Sequence, residues 1–183
     1  MRPRHILLLG MGNDILRDDG IGLYVVREAA RLIPPSWPLT VKETTLSGLN
    51  LLELVDGYSD LYLADAIHAP DFSPGSLVDF TADSQTGLSL RLSFLHDADI
   101  FTVMAFGRRV GYDMPRLREI FAIAVSDPWT LDERCSADLE RQIPSLAHRI
   151  LQTIGQNHGL PMSFPAELGG HPPHSVPCQG KTG

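Results

Sequence analysis

Two periods of apolar residues divide this chain. His5-Ile6-Leu7-Leu8-Leu9 is an unbroken apolar run of strand length, the pattern of a parallel strand covered on both faces. After a glycine-rich loop, Ile21, Val25, Ala29 and Leu32 recur near the helical period until Pro34-Pro35 stops them. Leu39 to Thr44 alternates and is β-branched, which predicts a second, more exposed strand at a sheet edge. A helix over Leu49 to Val55 ends at Gly57, and a third strand follows over Asp60 to Ala64. Pro74-Gly75 turns the chain into a fourth strand, Ser76 to Phe80. The segment from Leu88 to Leu95 is readable only as extended chain or loop. An apolar helix over Ile100 to Phe106, a fifth strand over Leu117 to Val125 and a helix over Ala137 to Ile154 complete the pattern. Pro144 predicts a kink in that last helix and Gly155 its end.

Strands that alternate with helices predict an α/β fold: a single domain with a twisted, mostly parallel sheet of about five strands sandwiched between helices. A boundary is expected at residue 155. Beyond it Pro161, Pro165, Pro172, Pro173 and Pro177 fall among glycines with little apolar periodicity, so 1–155 reads as the domain and 156–183 as a disordered or loosely docked tail.

A length of 183 residues suits one such domain. With 15 Lys and Arg against 22 Asp and Glu, a net charge of -7 leaves no basic footprint for nucleic acid. No apolar run approaches membrane-spanning length, and the start of the chain lacks a signal-peptide core, so a cytoplasmic protein is expected. Cys135 and Cys178 are too few for a disulfide framework or a thiolate zinc site. His158, His171 and His174 match no compact metal spacing with Cys178.

The loop between the first strand and helix reads GMGNDILRDDGIG, Gly10 to Gly22. Gly10 and Gly12 permit a tight turn and close approach of another group. A dinucleotide fingerprint fits poorly, because Ile15 holds the third glycine place and two adjacent acids would repel a phosphate. Either acid alone reads most simply as a helix cap. Adjacent side chains entering a helix point about 100 degrees apart, however, so one of Asp18 and Asp19 can cap while the other faces the cleft.

Partners for the cleft acid stand at the ends of other elements. Asp65 follows the third strand, at the carboxyl rim where functional groups of open parallel sheets gather, and His96 precedes a helix. Taken singly, Asp65 is a turn former and His96 a residue at a helix start. Together with Asp19 they form a set of two carboxylates and an imidazole that suits a borderline divalent ion.

The loop GMGNDILRDDGIG, the segment LYLADAIHA, the SxxH-then-helix segment ending GYDMP and the final helix with its IP step resemble the hydrogenase maturation proteases. The resemblance runs in matching order from Arg4 to Ile154. That family trims a C-terminal extension from the large subunit of nickel-containing hydrogenases. It implies an endopeptidase, here a monomer whose partner is a hydrogenase large-subunit precursor, with no nucleic acid or membrane involved. The only cofactor it implies is nickel supplied by the substrate protein, and the implied metal-contacting residues are Asp19, Asp65 and His96, with Asp19 and Asp65 catalytic. His68, three residues after Asp65, is the alternative third ligand. Amides of Gly10 to Asn13, or the Asn13 side chain, are candidates to stabilise an oxyanion. The competing expectations are a noncatalytic chaperone for the same subunit and a nucleotide-binding oxidoreductase.

Overall fold

The computed structural model describes residues 5–78 and 100–162. In chain order it contains β1 (Ile6–Met11), α1 (Ile21–Leu32), β2 (Leu39–Thr44), α2 (Leu51–Val55), β3 (Asp60–His68), β4 (Leu77–Val78), α3 (Ile100–Val110), β5 (Arg116–Val125), α4 (Ala137–Glu140) and α5 (Ile143–His158). Short 3-10 turns at Arg17–Gly20 and Gly48–Asn50 lead into α1 and α2.

The sheet has the order β2-β1-β3-β5-β4. All its pairs are parallel except β4 with β5. The α/β architecture read from the sequence is therefore the one observed, with β2 at an edge. Alternation along the central strands sends Ile6, Leu8, Tyr62, Ala64, Phe121 and Ile123 to a core shared with α1 and α5. The intervening Leu7, Leu9, Leu61, Leu63 and Ile120 meet α2 and α3 on the other face. No helix among the described residues is long and apolar enough to cross a membrane.

Among the boundaries that differ from the sequence reading, three bear on the site or the domain end. β3 continues through Asp65 to His68, so Asp65 is a strand residue. The expected kink at Pro144 is a break: α4 ends at Glu140 and α5 starts at Ile143, which leaves Pro144 in a first turn where its missing N–H leaves no bond unmade. Gly155 does not stop α5, which runs to His158 and is capped by Gly159 in the left-handed conformation. A Cβ at Gly155 would fall 2.9 Å from the Trp37 ring and 2.5 Å from Met162 Sδ, so the helix keeps glycine there for packing. The chain stays attached beyond the expected boundary: His158 Nε2 lies 3.0 Å from the Tyr62 hydroxyl, and Trp37 Nε1 donates to Pro161 O at 3.0 Å. His96, the segment 88–95 and the tail from residue 163 lie outside the described residues.

Candidate active site

β1 ends at Met11 and the chain folds back across the carboxyl rim. Gly22 sets how closely α1 can lie on the sheet, since a Cβ there would come within 2.2 Å of Met11 O and 2.4 Å of Ala64 O. It does what the third glycine of a dinucleotide loop would do, seven positions later than Ile15, whose side chain is exposed. At Gly12 a Cβ would meet Asp19 O at 2.3 Å, so the loop closes against the turn that carries the two acids.

Asp19 and Asp65 are both buried, at 4% and 3% exposure. Asp19 Oδ2 accepts the Asn13 N–H at 3.1 Å, and its turn packs on β3. Asp65 lies opposite Ala122 of β5 and one residue past Gly10–Ala64, the last β1–β3 pair. Its side chain therefore shares a face with Leu63 and Ile67, just beyond the β1–β3 pairing. Asp65 Oδ1 accepts the N–H of Ala66 at 2.8 Å. Burial pushes the Asp65 carboxyl up to about 8; the neighbouring Asp19 charge adds to the shift and the Ala66 hydrogen bond opposes it. At neutral pH Asp65 accordingly holds a proton that an approaching cation would displace.

Asp18 is not a cap for α1. The residue in the N-cap position is Gly20, with no side-chain hydrogen bond. Asp18 is fully buried and accepts the Ser136 N–H at 2.7 Å, the Ser136 hydroxyl at 3.2 Å and the Asp127 N–H at 3.4 Å. It thus fastens the glycine loop to the loop after β5. Arg17 reinforces that junction by pairing with Asp127 at 3.5 Å and Asp132 at 3.1 Å. No spacing rule could have exposed these contacts, because Ser136 stands 118 positions from Asp18.

Of the candidate oxyanion donors, the Asn13 backbone N–H is already engaged. It donates to Asp19, and the Asn13 side-chain Oδ1 accepts the N–H of Ile15 at 3.2 Å, so Asn13 orients the acid. His68, the alternative ligand, is an even-numbered neighbour of Asp65 on β3 and belongs to the opposite face. Its ring packs edge-on against Trp129, with centroids 4.6 Å apart. Among the described residues no group of three or more His, Cys, Asp and Glu is placed to hold a metal ion. The buried carboxylate pair supplies two oxygen donors of the kind a divalent ion takes, leaving further positions for other ligands. Cys135 is no nucleophile: burial pushes its thiol up to about 12, with the Asp18 charge adding to the effect, so it stays protonated near neutral pH.

The architecture has close counterparts among solved structures. The hydrogenase maturating endopeptidase HybD from E. coli superposes with a TM-score of 0.64 at 20% identity, over 84% of this chain and 93% of that one. This chain has the hydrogenase maturation endopeptidase fold. The [NiFe] hydrogenase maturation protease HybD from Thermococcus kodakarensis matches over 81% of this chain and 98% of its own, with a TM-score of 0.59 at 19% identity. The endopeptidase HycI from Escherichia coli gives 0.59 at 16% identity, over 82% and 92% of the two chains. No protein-family model matches the sequence, and no curated protein matches it.

Proposed function

We propose that this protein is an endopeptidase that removes a C-terminal extension from the large-subunit precursor of a nickel-containing hydrogenase. The observation that carries the proposal is the buried Asp19–Asp65 pair at the carboxyl rim of a sheet whose fold is that of hydrogenase maturation endopeptidases. Burial and the Asp19 charge both disfavour ionisation of Asp65, and a cation would relieve both penalties. In this reading the cation is nickel already seated in the substrate, and His96 is its third contact from this chain. Nickel would supply Lewis-acid polarisation of the scissile carbonyl or of a water.

The chain's own residues supply position and proton transfer. Asn13 holds one oxygen of Asp19 through its N–H, and Ala66 does the same for Asp65. A cation held by Asp19 and Asp65 would favour the ionised form of Asp65, its proton passing to solvent, and a carboxylate oxygen would then be available to accept a proton from water. Cleavage would then require a metal-loaded substrate, making hydrolysis a test of metal insertion. The deciding experiment is incubation with nickel-loaded and nickel-free precursor, read by intact mass. Loss of a C-terminal peptide from the loaded form alone is expected; binding of loaded precursor without any cut would indicate a chaperone instead.

A further inference from the structure

Between β1 and α1 the chain closes a ring on itself. Leu16 N–H donates to Asn13 O at 3.1 Å, Asp19 N–H and Gly20 N–H donate to Leu16 O at 3.0 and 3.3 Å, and Asn13 N–H donates to Asp19 Oδ2 at 3.1 Å. Two successive turns carry the backbone from Asn13 round to Asp19, and the last bond returns to the residue at which the first turn began. The Asn13 side chain fixes the start of this circuit. Its Oδ1 accepts the Ile15 N–H at 3.2 Å, the local bond by which an asparagine holds its own backbone in a turn. On the other side stands Gly12, where a Cβ would fall 2.3 Å from Asp19 O, so the peptide that carries the Asn13 N–H is confined from both ends.

The placement of the Asp19 carboxylate therefore depends on a side-chain oxygen six residues earlier in the chain. That oxygen matters little to the fold. The bond from Ile15 to Asn13 is open to solvent, so water can satisfy the Ile15 N–H when Oδ1 is removed. A reacting group is less forgiving, since a misplacement of about 1 Å can cost on the order of 10²-fold in rate.

We propose that Asn13 is a positioning residue for the cleavage reaction, acting through Asp19 by means of its side-chain carbonyl oxygen and not by donating its side-chain amide to an oxyanion. This deepens the endopeptidase reading above and rests on it. The two roles make opposite demands on the side chain: positioning needs only an acceptor for the Ile15 N–H, whereas oxyanion stabilisation needs a donor.

The test is steady-state cleavage of nickel-loaded precursor by the wild type and by Asn13→Ala, Asn13→Asp and Asn13→Ser. High salt screens the charge that Asn13→Asp adds. Thermal unfolding and hydrogen exchange of the residue-13 amide are measured on the same proteins. Asn13→Ala keeps the backbone N–H and loses the acceptor, so kcat should fall about tenfold or more with KM within about twofold of wild type. Its melting temperature should stay close to that of the wild type, while its residue-13 amide exchanges about tenfold faster as the loop opens more often. Asn13→Asp and Asn13→Ser each keep an oxygen that can accept from Ile15 and lack the amide, and both should restore kcat and slow exchange to within about threefold of wild type. If Asn13→Ala retains wild-type kcat, the side chain positions nothing and the assignment is wrong, while the endopeptidase reading stands. If neither Asn13→Asp nor Asn13→Ser restores kcat, the amide is used directly and the assignment is again wrong. A wild type that cuts no loaded precursor would overturn the proposed function and this inference with it.

Discussion

Asp18 and Asp19 are adjacent in the chain and both buried, yet they serve different parts of the molecule. Asp18 accepts from Ser136 and Asp127 in the loop after β5, whereas Asp19 accepts from Asn13 and lies beside Asp65. One carboxylate fastens two loops together and its neighbour faces Asp65's carboxyl across the rim.

Substitution should separate those two jobs. Asp18→Asn leaves one oxygen to receive three donors and turns an amide N–H₂ toward them, so stability should fall by about 1–3 kcal/mol. Asp19→Asn should abolish precursor cleavage with a smaller loss of stability, because an amide oxygen can still accept the Asn13 N–H while the charge is lost. Thermal unfolding and cleavage of both variants check this, and equal unfolding losses would contradict the division.

Asp65 should make the fold less stable as pH rises. Near pH 4 and below, its carboxyl is protonated in the folded and unfolded chains alike. Between the ordinary value of 3.8 and about 8, the unfolded chain releases the proton while the folded chain keeps it, so stability falls with rising pH; above that window the penalty is constant. Asp65→Asn should erase this slope. Its unfolding free energy should exceed that of the wild type at pH 8 to 9 by on the order of a few kcal/mol, and converge with it near pH 4. Cleavage should be lost at every pH. A wild-type stability that rises across the window at this residue's expense would refute the assignment.

Gly22→Ala and Gly57→Ala should differ in severity for a geometric reason. At Gly22 the new Cβ would strike two backbone carbonyls, which cannot move without shifting α1 from the sheet, and a loss of roughly 3 kcal/mol or more is expected. At Gly57 nothing lies within 4 Å, and the cost is only that of a positive φ of 81°, about 1 kcal/mol. Urea denaturation of the two variants compares them directly.

Truncation locates the true end of the domain. Cutting after Asn157 removes His158 from the Tyr62 hydroxyl and Pro161 from Trp37, so the melting temperature should drop clearly. Cutting after Met162 should leave it close to that of the whole chain, since the composition of 163–183 offers little apolar surface to bury. Equal melting temperatures for the two truncations would show that the Tyr62 and Trp37 contacts contribute nothing.

The sequence carried the fold because β1, α1 and β5 bury faces whose periods are unmistakable. Asp65 illustrates where that legibility stops: aspartate is rare in strands, so the third strand seemed to end before it, and only pairing with Ala122 keeps it in the sheet. Glycine and proline misled for related reasons. Gly155 is required by Trp37 packing and Pro144 sits harmlessly in a first turn, and neither circumstance is written in the neighbouring residues. Within the site, Asp19 and Asp65 could be singled out from their positions at the ends of elements. The service of Asp18, Arg17 and Asn13 depends on contacts that exist only after folding.

β3 continues from Asp65 to His68 past its last pair with β1, so the depth of the notch at the carboxyl rim is set by where that pairing stops. A carboxylate addressed in this way by register keeps its place when loops around it lengthen, shorten or change composition. Drift in those loops can change what the rim meets without moving that carboxylate.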